Sequence, residues 1–170
     1  MTAYVALLRA VNVGGTGKLP MRDLVAMCER AGFSAVRTYI ASGNVVFSSN
    51  ETEAAVKADL EEALHAYAGK PVAVLVRTAD ELSGVLADNP FPGVPPNKVM
   101  ALFLDHAPAA TEIETVSGLT SEILQLGKRE LYVHYPDGMG RSKLKIPAAS
   151  RGTARNMNTV AKLVAMASEI

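Results

Sequence analysis

The sequence predicts an α+β fold whose first half follows the ferredoxin-like β-α-β-β-α-β order. Three observations carry that prediction. Short aliphatic runs alternate with amphipathic stretches, glycine- and asparagine-rich turns separate them, and one proline-dense segment falls near mid-chain. The second half reads as a related, incomplete β-α-β-β-α unit. The expected division is 1–88 and 97–170, joined by a linker over 89–96, with one compact domain as the alternative.

Tyr4-Val5-Ala6-Leu7-Leu8 is a nearly continuous apolar run, the pattern of a central strand. A glycine-rich polar loop, Ala10 to Leu19, follows it. Pro20 then opens a helix, because its missing N–H would be unpaired in a first turn anyway. Leu24, Val25, Cys28 and Ala31 recur at helical spacing, and Gly32 supplies the stop. Val36 to Ile40 and Val45 to Ser48 read as strands. They are joined by Ala41-Ser42-Gly43-Asn44, a hairpin whose glycine and asparagine tolerate positive φ. Asn50 with Glu53 has capping-box spacing and opens a helix with Val56, Leu60, Ala63, Leu64 and Tyr67 on one face. Pro71 to Arg77 is the fourth strand.

Thr78 with Glu81 repeats the capping-box spacing and starts a short helix to about Ala87. Asn89 to Pro96 is the proline-dense linker. Val99 to Leu104 is strand-like, Thr111 to Ser117 is read as a helix, and Glu122 to Leu126 with Glu130 to Tyr135 form a hairpin turning at Gly127-Lys128. Pro136 to Gly152 is polar. The closing helix runs from about Asn156, with Met157, Val160, Ala161, Val164 and Ala167 at helical spacing.

Composition narrows the function classes. A chain of 170 residues buries about 70% of its unfolded surface, enough for an independent core. With 49% hydrophobic, 20% charged and 5% aromatic residues, that core is aliphatic and disorder is not expected. No run approaches the roughly 20 apolar residues of a membrane span. The first residues read directly as a strand, without a secretory signal. Cys28, the one cysteine, has no internal partner, so a cytoplasmic setting is expected. Seventeen basic residues balance seventeen acidic ones, which removes any general attraction to nucleic acid or membrane. The charges are unevenly placed, however. Residues 51–62 are acidic, and between Asp137 and Glu169 every charged side chain is basic.

The ferredoxin-like order has a geometric consequence. Its first and second strands run parallel, with the third antiparallel between them. The loop after the first strand, the hairpin after the second and the turn Ala68-Gly69-Lys70 therefore leave one sheet edge. Arg9, Asn12, Gly14, Gly15, Lys18, Ser42, Gly43 and Asn44 are the candidate ligand-binding residues of that edge. A glycine-rich loop entering a helix suits an anion, through oriented N–H groups and the helix dipole. It is not a phosphate-binding P-loop, because Gly17-Lys18 is followed by Leu19 rather than Ser or Thr, and its glycine spacing does not match the dinucleotide fingerprint. The plainer alternative is that the glycines only permit a tight turn.

A second constellation spans Pro136 to Leu144 and Thr153 to Thr159. Arg141, Ser142, Lys143, Arg155 and Asn156 have the chemistry to hold phosphate or carboxylate oxygens. Here the alternative is that Thr153 or Asn156 is a helix cap and the charges form a solvated face. General catalytic templates fare poorly. His65, His106 and His134 lack zinc-ligand spacing, no Gly-x-Ser-x-Gly elbow is present, and Cys28 sits on the inward stripe of its helix. Asp137 is the lone carboxylate in these motifs, which favours holding an anion over acid–base work. No cofactor or metal is expected. The third strand carries a single aromatic, Phe47, so base stacking on the sheet face is not expected either.

These residues resemble the domain of unknown function 1697 family, which is mostly bacterial. The resemblance rests on Leu8-Arg9-Ala10-Val11-Asn12-Val13-Gly14-Gly15 with Lys18 and Pro20-Met21, and on Arg37 to Phe47. Asn89-Pro90-Phe91, Gly140-Arg141-Ser142-Lys143-Leu144 and Thr153 to Thr159 extend it over nearly the whole chain. Family members usually carry a tryptophan where Met157 stands, so this chain offers no aromatic stacking there. The resemblance implies an α+β fold with ferredoxin-like halves and implies no activity.

The expected function is binding of a phosphate- or carboxylate-bearing ligand, with a nucleotide or a nucleic-acid backbone among the partners. One alternative is an enzyme acting on a phosphorylated or acyl substrate, with Ser42 or Ser142 as nucleophile and Lys18 or Lys143 stabilising charge. It requires a base beside the serine. Another is a partner-binding subunit. Oligomeric state is left open.

Overall fold

The computed structural model describes residues 1–13 and 18–170. The chain divides into two compact units, Met1–Leu82 with Leu163–Ile170, and Ser83–Lys162. The first unit contains β1 (Thr2–Leu8), α1 (Met21–Arg30), β2 (Ser34–Thr38), β3 (Asn44–Ser49), α2 (Glu53–Ala68) and β4 (Val74–Thr78). Its strands form an antiparallel sheet in the order β2-β3-β1-β4, the ferredoxin-like arrangement.

β1 sits between β3 and β4, with Val5 opposite Val46 on one side and Arg77 on the other. Tyr4, Ala6 and Leu8 share one core with Val45 and Phe47, with Leu24, Met27 and Cys28 of α1, and with Val56, Leu60 and Leu64 of α2. Alternate residues Val5, Leu7, Val46 and Leu75 point the other way and are equally closed to solvent. Burial on both faces is why Tyr4–Leu8 is continuously apolar rather than alternating. Phe33 stacks on Phe47 at 4.3 Å between ring centroids.

Local signals set the helix ends. After α1, Gly32 adopts φ +90° while its N–H reaches the carbonyl of Glu29 and the Phe33 N–H that of Cys28. This double closure, with Phe33 packed back into the core, is the Schellman arrangement. The cap of α2 differs from the expected Asn50. The Ser49 hydroxyl accepts the Glu51 N–H at 3.0 Å, so the chain is still turning there, and Thr52 becomes the cap by accepting the Ala55 N–H at 3.2 Å. Thr78 and Glu81 form the expected reciprocal capping box at the start of α3 (Ala79–Ala87), with bonds of 2.8 and 3.1 Å.

The second unit contains β5 (Val99–Phe103), a short α4 (Thr111–Glu114), β6 (Ile123–Leu126) and β7 (Glu130–His134). It continues with β8 (Thr153–Asn156), which leads into α5 (Met157–Ser168), a helix whose residues from Leu163 onward belong to the first unit. The expected β-α-β-β-α run is present, and β8 adds a fourth strand that the sequence reading placed in the approach to the helix. β8 pairs with β5, so the order β6-β7-β5-β8 repeats that of the first sheet. The correspondence extends to register. Val5 faces Arg77 in one sheet and Ala101 faces Arg155 in the other, and Thr78 and Asn156 each cap the helix that follows. No helix among the described residues is long and apolar enough to cross a membrane.

The hairpin between β2 and β3 makes a close contact with the exit of β1. Gly43 has φ +90°, and a Cβ there would lie 2.6 Å from Val11 Cγ2 and 2.9 Å from Leu8 Cβ. Gly32 shares the positive φ but has nothing within 4 Å of such an atom. Gly43→Ala is expected to cost about 2–5 kcal/mol from backbone strain plus overpacking, and Gly32→Ala about 1–2 kcal/mol from strain alone. Urea unfolding midpoints at unchanged slope measure both. Equal losses would show that the contact at Gly43 relaxes freely.

Candidate functional site

The edge at the end of β1 is assembled from three directions. The Leu8 N–H donates to the Gly43 carbonyl at 2.8 Å, and the Arg9 N–H donates to the Ala73 carbonyl at 2.9 Å. The exit of β1 is thus held by the hairpin on one side and by the run into β4 on the other. The chain then passes through two left-handed residues, Ala10 and Asn12 (φ 55° each), while the hairpin contains a third, Ile40 (φ 51°). Side-chain-bearing residues in this region cost roughly 1–2 kcal/mol each, most for a β-branched one. Their gathering at one edge marks a place where the fold holds an unfavoured backbone shape.

Asn12 is the clamp of that shape. Its Nδ2 donates to the carbonyls of Leu19 (2.9 Å) and Ala41 (2.8 Å), while its Oδ1 accepts the Leu19 N–H at 2.6 Å. It thereby joins both ends of the loop and ties them to the hairpin. Buried Asn44 does the same inside the hairpin, donating through Nδ2 to the Tyr39 carbonyl and to Ser42 Oγ, both at 2.9 Å. Asn12, Ser42, Gly43 and Asn44 are therefore brought together as predicted, and these hydrogen bonds build the edge itself. Arg9 is half-buried beside them. Gly14 and Gly15 lie outside the described residues.

Beneath the edge lies a cleft of about 230 Å³. Val11, Leu19, Leu64 and Val72 give it apolar walls, Ala10 and Ala68 leave it room, and Lys18, Lys70 and Tyr67 complete it. Both lysines are exposed, and neither has a hydrogen-bond or ion-pair partner among the described residues. Lys18 is a candidate from the sequence; Lys70 is not, because a single lysine after Gly69 has no motif, although its turn leaves this same edge. Tyr67 was read as part of the core stripe of α2. It is in fact 47% exposed, because α2 outlasts the surface that covers Leu60 and Leu64. Its hydroxyl donates to Asp23 Oδ2 at 2.8 Å, and that hydrogen bond, with the carboxylate's charge, raises the hydroxyl pKa.

The second constellation belongs to the other unit. Arg141 and Lys143 are exposed, on a segment pinned by the Ser117–Lys145 bridge. Ser142 Oγ donates to Glu122 Oε2 at 2.8 Å and accepts the Leu144 N–H at 3.1 Å. Glu122 also accepts the Thr120 N–H at 2.9 Å, and these bonds, the backbone one foremost, hold its carboxyl below the ordinary range. A serine does stand beside a carboxylate here. Lowering the carboxyl pKa weakens it as a base, opposite to what nucleophile activation needs. Arg155 is buried, donates through Nη1 to Thr153 Oγ1 (2.6 Å) and to the Ala154 carbonyl (2.9 Å), and is lowered to about 10 by burial. Asn156 Oδ1 accepts the Thr159 N–H at 3.0 Å, so it is a helix cap, whereas Thr153 lies in β8.

Other reactive groups are quiet. Cys28 is buried in the first core with its thiol pushed up to about 12 by desolvation, and it is inert as a nucleophile. No group of three metal-ligating side chains occurs among the described residues.

Two outcomes follow from these bonds. Asn12→Ala removes three hydrogen bonds at the loop base and is expected to cost about 2–4 kcal/mol, read from the unfolding midpoint. Glu122, depressed from 4.5 in the folded state, contributes stability above that pH and loses it as pH falls through the lowered value. The melting temperature of the wild type should therefore drop more steeply below pH 4.5 than that of Glu122→Gln. Parallel acid limbs would sink this assignment.

Comparison with known proteins places the chain. A family model described as "Protein of unknown function (DUF1697)" matches residues 1–132, covering the whole sheet edge around Asn12, whereas Arg141–Asn156 lies beyond the match. The fold is similar to that of the conserved bacterial protein SP0830 from Streptococcus pneumoniae, with a TM-score of 0.82, 24% identity and 98% of each chain covered. None of the curated proteins matches. A family match over most of its length, on a fold whose first sheet has the expected ferredoxin-like order, makes the chain a member of the DUF1697 family.

Proposed function

We propose that this chain is a binding module for a small phosphate- or carboxylate-bearing ligand, held at the sheet edge where β1, the β2–β3 hairpin and the α2–β4 turn meet. The observation that carries the reading is a pair of ammonium groups, Lys18 and Lys70, that have no partner among the described residues and are contributed by two separate segments to one cleft. Two like charges on the rim of a partly apolar cleft repel each other, and an anion relieves that repulsion while satisfying both. Asn12 supports the reading as a positioning residue, because it fixes Leu19 and so the chain next to Lys18. A cytoplasmic setting agrees with the lone buried Cys28.

Two broader readings have less support. Tyr4–Leu8 of β1 and all of β3 are buried, so the central strands have no open face for stacking bases. The depressed Glu122 beside Ser142 does not supply an activated nucleophile.

Thermal shift with inorganic phosphate, pyrophosphate, nucleoside monophosphates and small carboxylates tests the proposal. A ligand at about 100 times its Kd should raise the melting temperature by roughly 5–11 °C, less at high salt. Lys18→Ala and Lys70→Ala should each shrink the shift, while Lys143→Ala in the other unit should leave it intact. An unchanged shift in both cleft variants would reject the site.

A further inference from the structure

We infer that the ligand of this edge is a small aromatic anion, one flat ring bearing a single phosphate or carboxylate head; the inference rests on the anion-binding reading above. The cleft volume of about 230 Å³ is below the roughly 300–1,000 Å³ of pockets that hold drug-sized ligands. It has room for one ring and a head group, not for a dinucleotide. Its walls, Val11, Leu19, Leu64 and Val72, are apolar and carry no side-chain hydrogen-bonding group for a polar body. Among the described residues of its lining, the polar side chains are the two lysines and the tyrosine.

Tyr67 indicates the shape of that body. A residue on the apolar stripe of α2 that is 47% exposed would ordinarily swing freely, yet its hydroxyl is anchored to Asp23 on α1. The anchor holds a preset aromatic wall along the cleft at little further entropic cost on binding. Ala10 and Ala68 leave space where larger side chains would fill it. An offset or edge-on ring against Tyr67, with its anionic head toward Lys18 and Lys70, satisfies the walls and the charges at once.

Isothermal titration of the full chain with matched probes tests this. Inorganic phosphate and acetate supply the heads alone, phenyl phosphate and benzoate add the ring, and cyclohexyl phosphate and cyclohexanecarboxylate keep the bulk without the aromatic face. Benzyl alcohol keeps the ring without the charge. The expected result is tightest binding for a ring-bearing anion, with the better of phenyl phosphate and benzoate identifying the head. Tyr67→Phe, which keeps the ring but removes the hydroxyl anchored to Asp23, should bind more weakly than wild type, and Tyr67→Leu, which loses the ring as well, should lose more, roughly threefold to tenfold. Ala68→Trp, at an exposed position, should block the cleft. Cyclohexyl probes binding as well as phenyl ones, or Tyr67→Leu binding unchanged, would overturn the aromatic inference while leaving the anion reading standing. Benzyl alcohol matching phenyl phosphate, with no effect of Lys18→Ala or Lys70→Ala, would overturn the anion reading and with it this inference. No binding by any ring-bearing anion also overturns the inference, and the head-group arms then report on the anion reading alone.

Discussion

The structure of the candidate edge depends on one close approach, that of the Gly43 backbone to Leu8 and Val11. No side chain fits at Gly43, so the hairpin settles directly onto the exit of β1, and the Leu8 N–H closes on its carbonyl. The left-handed turns at Ala10 and Asn12 follow, because the chain must leave the strand while staying against the hairpin. Asn12 then holds that path with three hydrogen bonds, one of them to the hairpin residue Ala41. The path delivers Leu19 to the cleft wall and leaves Lys18 at its rim. Strain of a few kcal/mol at three backbone positions is tolerable only where such contacts over-determine the shape.

Burial restricts where a ligand can sit on the first unit. With Tyr4, Ala6 and Leu8 packed against the helices and Val5, Leu7 and Leu75 also closed off, neither sheet face is open. Loops at the strand ends are what remain, and the end with Asn12 carries three left-handed residues, Ala10, Asn12 and Ile40, beside the cleft lined by Lys18 and Lys70. Tyr67 joins it because α2 runs from the far end of the sheet to this one.

The two basic, polar constellations look alike in composition and differ in employment. In the second unit Asn156 caps a helix, Arg155 donates to Thr153 and Ala154 of its own strand, and Ser142 donates to Glu122. Those residues stabilise the turn-rich path from β7 to β8. At the first edge the amides and Ser42 are also structural, but they leave Lys18 and Lys70 uncommitted. A residue's type indicates which bonds it can make, and only its neighbours decide whether those bonds are already made.

Periodicity and turn chemistry in the sequence were enough for the element order of the first unit, the Gly32 stop, the Thr78–Glu81 box and the gathering of three loops at one sheet edge. These are local signals, or follow from strand order by geometry alone. Strand β8 was not legible, because four residues, Thr153-Ala154-Arg155-Asn156, show no apolar alternation and form a strand only by pairing with β5. Asn50 matched a capping box, yet Thr52 caps α2 because a competing bond from Ser49 turns the chain first. The cleft was likewise decided by tertiary structure. Lys18 and Lys70 are 52 positions apart and come to line one cavity, which Tyr67 also lines. Sequence determined which chemical groups were available at the edge, and packing determined which were used up in building it and which have no partner among the described residues.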